Sequence, residues 1–80
     1  MNRGSKIWPW VDKKDGSRLY IDPRQPRLFE VFEAAYSEWK VNIGMPDCTR
    51  SIYDQLENKE EAVSKTENLI LRIEAKRRES

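Results

Sequence analysis

From Pro26 onward, apolar side chains recur at Leu28, Phe32, Ala35 and Trp39 and again at Phe29, Phe32 and Tyr36. Spacings of three and four predict an amphipathic helix over residues 26–41, with Glu30, Glu33 and Glu38 on its other side. Pro26 suits the first helical position, where a missing N–H costs nothing, and Gly44 is a natural left-handed stop. Beyond it, no residue breaks a helix between Cys48 and Arg77. Asp47 is a candidate N-cap, and Ser51 to Asp54 offers a capping box one turn later. Leu56, Val63 and Ile70 fall on one position of a heptad and Ile52, Lys59, Thr66 and Ile73 on the other, flanked by Ala62 and Leu69. The pattern predicts a long helix over 47–77 with a thin seam of coiled-coil type, weakened where Lys59 and Thr66 interrupt it.

The first part of the chain has a different rhythm. Ile7 to Val11 and Arg18 to Ile21 are rich in aromatic and branched residues and flank Asp15-Gly16, a pair that tolerates the positive φ of a tight turn. Residues 6–21 therefore read as a β-hairpin, with Pro9 confining the first strand to an edge or a bulge; the alternative is an extended aromatic arm laid across a helix. Residues 1–5 are polar and expected to fray. The expected architecture is a single small domain spanning 1–80, mostly α with minor β, in which the hairpin or arm packs on two helices, the C-terminal one long. Its expected core comprises Ile7, Trp10, Leu19, Ile21, Leu28, Val31, Phe32, Ala35, Trp39, Ile52, Tyr53 and Leu56.

Composition sharpens this picture in one respect. Seven of the eight aromatic residues lie between Trp8 and Trp39, and the 27 residues after Tyr53 contain no aromatic, glycine or proline. Large apolar area is thus concentrated in the first half. The expected C-terminal seam has little of its own left to meet, which points to a partner, and an 80-residue chain often needs one to complete its burial. The net charge of +1 conceals a basic segment over 1–27, an acidic one over 28–62 and a basic one over 63–80. Glu60, Glu67 and Glu74 align along one edge of the seam, better matched by a charged partner or by the chain's own basic N-terminal part than by a second copy.

The chemistry available is narrow. With no histidine and one cysteine, Cys48, the chain has no imidazole for a nucleophilic pair and neither a disulfide nor a structural zinc site in a monomer. Its three glycines are too scattered to cradle a phosphate. No cofactor, metal or catalytic residue is expected, and no stretch is long and apolar enough to cross a bilayer, which by default places the protein in the cytoplasm. The expected activity is that of a non-enzymatic interaction protein, an adaptor or inhibitor comparable in size and composition to small phage-borne accessory proteins. It would bind another protein, in a hetero-complex or alternatively a homodimer, through Val63, Leu69, Ile70 and Ile73 of the seam and through Trp8, Lys13, Lys14 and Arg18 of the aromatic, basic arm. The alternative is a DNA-binding regulator of helix-turn-helix type, with Thr49, Arg50 and Ser51 at the start of a recognition helix. The acidic surroundings of that segment weigh against it.

Overall fold

A computed structural model describes residues 7–79, the side chain of residue 79 excepted; the expected fraying of 1–5 lies outside them. The chain forms five strands, β1 (Trp10–Asp12), β2 (Arg18–Ile21), β3 (Leu28–Glu33), β4 (Trp39–Met45) and β5 (Cys48–Leu56), followed by one helix, α1 (Lys59–Glu79). The strands make one antiparallel sheet in the order β1-β2-β3-β4-β5, so every strand pairs with its sequence neighbour. This overturns the mostly helical reading and the coiled coil with it. A hairpin does form around Asp15-Gly16, but it extends the sheet instead of packing on two helices.

The expected helix over 26–41 is β3, a tight turn at Ala35–Ser37 and most of the first half of β4. Phe29 and Val31 alternate into the core, while Leu28 and Phe32 are half-buried on the opposite face. A strand with apolar residues on both faces produces the sequence 28, 29, 31, 32, which imitates helical spacing. Branched and aromatic side chains, which fit a pleated surface well, decide for the strand. The first part of the expected long helix is β5, and the helix starts only at Lys59. Asn58 supplies the cap: its Oδ1 accepts the Glu61 N–H at 2.8 Å, while Glu61 Oε1 accepts the Glu57 N–H at 2.9 Å.

Directly paired residues share a face of the sheet. One face carries the row Trp10, Tyr20, Phe29, Ile43 and the row Arg18, Val31, Val41, Tyr53. Helix α1 packs on that face, burying Ala62, Thr66 and Ile70 completely and Val63, Leu69 and Ile73 in part. Thr66, a polar interruption in the heptad pattern, satisfies its hydroxyl by donating to the Ala62 carbonyl at 2.8 Å. The core that results contains Trp8, Tyr20, Phe29, Val31, Val41, Leu56, Ala62 and Ile70. Of the residues expected in the core, Trp10, Ile21, Ala35 and Ile52 are instead exposed, Ala35 because it lies in the turn between β3 and β4.

Polar links tie the helix to the sheet. Trp8 stacks on Phe29, ring centroids 5.1 Å apart, and donates its indole N–H to Glu74 at 2.8 Å. Tyr20 donates its hydroxyl to Glu67 at 2.7 Å, and Arg18 lies 3.8 Å from the same carboxylate. Two members of the glutamate edge therefore meet cations of the chain's own N-terminal part, Glu67 with Arg18 and Glu74 with Arg24. Asp22, whose side chain is fully buried, receives Arg27 at 2.7 Å and Arg77 at 2.8 Å.

Candidate interaction surface

Because α1 covers one face of the sheet, the other is left without a second layer among the described residues. Its rows are Val11, Leu19, Glu30, Asn42, Ser51 and Ile21, Leu28, Gly44, Thr49. The half built by β1 to β3 is apolar apart from Glu30: Val11 is 51% exposed and Ile21 41%, with Leu19 and Leu28 half-buried between them. The half built by β4 and β5 is polar, carrying Lys40, Asn42, Thr49 and Ser51. An antiparallel sheet commonly leaves one face to water, but that face is then polar in alternation; here the alternation fails over β1 to β3.

At one end of this face the β2–β3 connection and the β4–β5 turn flank an open groove of about 540 Å³. Ile21, Leu28, Gly44, Pro26, Met45 and Pro46 supply its apolar lining, and Arg27 and Glu30 are among its charged lining. Gly44 creates the depression, since the row in which it lies lacks one side chain there. A Cβ added at Gly44 would stand 3.5 Å from Leu28 Cδ1, an ordinary contact, so the hollow is available space and not a position crowded by backbone. The charges beside it are compensated internally. Burial would push the Asp22 carboxyl up, but Arg77, Arg27 and the backbone N–H groups of Arg24 and Gln25 together hold it well below the usual carboxylate range. Glu30 has Lys13 at 3.9 Å.

The residues expected to bind a partner are not brought together. Trp8 is 1% exposed and Ile70 is fully enclosed, so neither has surface to offer; both hold α1 to the sheet. Val63, Leu69 and Ile73 are packed against the same core. Arg18 is engaged by Asp12 at 2.7 Å, by the Tyr20 hydroxyl at 3.1 Å and by Glu67, and it lies 5.0 Å over the Trp10 ring. Lys13 and Lys14 are exposed in the hairpin turn. Trp10, 47% exposed, is the tryptophan at the surface. Thr49, Arg50 and Ser51 are exposed on β5, a strand, so no helix-turn-helix exists among the described residues.

Sequence reasoning missed Val11, Leu28 and Gly44 as surface residues of one face. The signal was present in Trp39 to Met45, where apolar and polar residues alternate strictly, and with that strand recognised Gly44 falls in the row of Leu28. Among the described residues no group of three or more Cys, Asp or Glu is placed to hold a metal ion, and no helix is long and apolar enough to cross a membrane. Comparison with family models, with curated proteins and with solved structures found no match.

Proposed function

We propose that the protein is a non-catalytic interaction module, an adaptor or inhibitor in a cytoplasmic setting, that binds another protein through the uncovered face of its sheet. The supporting observation is the apolar patch on that face: Val11, Leu19, Ile21 and Leu28 are contiguous across three strands and have no covering layer among the described residues. Contiguous exposed apolar surface of this kind marks interaction sites, whereas single exposed hydrophobes carry no such meaning. The helix seam no longer serves as the binding element in this reading, because it is consumed in covering the other face.

Val11→Asp with Ile21→Asp tests the proposal. Both side chains are exposed, so the fold should tolerate the change, and circular dichroism should be unaltered. Partners captured from the native cell extract by the wild-type protein and identified by mass spectrometry, with and without nuclease, should be lost with the double variant and kept with Arg72→Glu on the exposed side of α1. Equal capture by the two Asp-bearing and wild-type proteins removes the face as the interface, and capture that depends on nucleic acid removes a direct protein partner.

A further inference from the structure

We infer that the outer edge of β1 pairs with β1 of a second copy of this chain, antiparallel across a two-fold axis, so that the two sheets join into one. The main chain names the kind of occupant. Pro9 and Lys13 face β2, since the Pro9 carbonyl accepts the Ile21 N–H at 2.8 Å and the Lys13 N–H donates to the Ser17 carbonyl at 2.9 Å. With Val11 opposite Leu19 between them, alternation turns the N–H and C=O groups of Trp8, Trp10 and Asp12 away from β2. No strand among the described residues meets them there. A row of outward donors and acceptors at strand spacing is a template for an extended chain.

The devices that blunt an edge are turned aside at β1. The missing N–H of Pro9 points at β2, so the proline removes nothing from the outer side. The Asp12 carboxylate is held by Arg18 at 2.7 Å, and Lys13 reaches back over the sheet to Glu30 at 3.9 Å. The opposite edge is different: β5 carries register shifts against β4 and has Gln55 in the left-handed region. One open edge and one blunted edge favour a closed pair over a growing chain, because β1 against β1 leaves only the two β5 edges outside.

Side chains select a second copy as the strand. With Trp10 opposite Trp10 of the second copy, Val11 falls opposite its Pro9 and Asp12 opposite its Trp8. Apolar groups then meet on both faces, Trp10 on the helix side and Val11 on the uncovered side, the two residues that β1 leaves 47% and 51% exposed. No like charges are opposed between Trp8 and Asp12. The same pairing sets the apolar patches of the two copies, each built by Val11, Leu19, Ile21 and Leu28, side by side on one continuous face.

The test is sedimentation equilibrium of the full-length protein together with amide hydrogen exchange followed by NMR, each over a range of protein concentration. A contact of this length buries less than the roughly 1,200 Å² of a standard interface, so a monomer–dimer equilibrium is expected with a dissociation constant on the order of 100 μM and no larger species. As the dimer forms, the Trp8, Trp10 and Asp12 amides should exchange more slowly, while the Val11 amide, already paired with β2, changes less. Trp10→Lys sets two like charges against each other at the axis and should weaken the dimer about tenfold or more with the fold intact. A monomer at up to about ten times the expected constant overturns the inference, as does a dimer in which those three amides stay unprotected or one that Trp10→Lys leaves unchanged. Growth beyond two copies overturns it as well, since β5 would then pair too. Should Trp10→Lys fail to fold, the exchange pattern of the wild-type protein decides alone. Trp10 lies on the helix side of the sheet, so its replacement leaves the uncovered face as it is, and loss of the dimer is read separately from loss of a captured partner.

Discussion

Tyr36 and Ser37 have φ values of 60° and 61°, the left-handed region in which a residue with a Cβ is strained by about 1–2 kcal/mol. They form the tip joining β3 to β4, closed by the Ala34 N–H donating to the Glu38 carbonyl at 2.7 Å. A connection of this hand is the one that Asn-Gly adopts most readily, and Tyr36, 96% exposed, gains no burial in exchange. Tyr36→Asn with Ser37→Gly is therefore expected to stabilise the fold by about 1 kcal/mol or more, read as a rise in the urea midpoint at unchanged slope; an unchanged or lower midpoint contradicts it. Asp22 governs the acid limb. Its carboxyl, and those of Glu74, held down first by the Trp8 indole, and Asp12, held down first by the Arg18 hydrogen bond, ionise more readily in the folded chain than in the unfolded one. Their contribution is complete above the ordinary carboxylate range and disappears as pH falls towards the folded values. Stability should hold down to about pH 5 and decline below about pH 4, and Asp22→Asn should lower it by about 2–3 kcal/mol at neutral pH while making that decline shallower. At the other limit, burial raises the Tyr20 hydroxyl to about 12. The unfolded chain loses this proton near pH 10 and the folded one does not, so stability falls between these values and is unaffected below them.

Among the elements, those fixed by local backbone chemistry were legible and those fixed by period alone were not. Asp15-Gly16 announces its turn: Gly16 has a φ of 91°, and Asp15 accepts the Ser17 N–H at 2.9 Å. The helical run through 59–77 is equally clear, because Lys76, Arg77 and Arg78 suit its C-terminal end and no breaker interrupts it. β3 was illegible by spacing because both its faces are apolar, and β5 because nothing in its sequence forbids a helix. β5 also departs from regular pairing, with register shifts opposite Trp39 to Asn42 and Gln55 at a φ of 57°. Such irregularities bend and blunt an edge strand. The seam of α1 is apolar, as its spacing predicts, but it is filled by the sheet instead of waiting for a partner. Ile70 is its centre, and Ile70→Ala is expected to cost about 3–4 kcal/mol, while Ile70→Asp should leave no cooperative thermal transition. A folded Ile70→Asp monomer would mean that α1 is not held by the sheet.

At the scale of the molecule, one sheet and one helix make two layers with four faces, of which only the two that meet are covered, so the outer face of the sheet stays open. That geometry leaves the proposed binding face open, and it divides the aromatic arm: Trp8 and Tyr20 are packed between the layers, while Trp10 stays at the surface. Loss of capture on Val11→Asp with Ile21→Asp, alongside intact capture for Arg72→Glu, is the expected outcome that belongs to this scale. The sequence by itself determined the tight turn at Asp15-Gly16, the helical character of 59–77 and the lack of an imidazole, because each depends on residue type at short range, while the glutamate edge was open to a partner or to the chain's own cations until the fold brought Arg18 and Arg24 to it. Only the tertiary structure decided between strand and helix over 26–56, which tryptophan is buried and which apolar surface stays uncovered. Those outcomes depend on pairing between distant segments, where a residue's neighbours across the sheet, and not its neighbours in the chain, set the face it occupies.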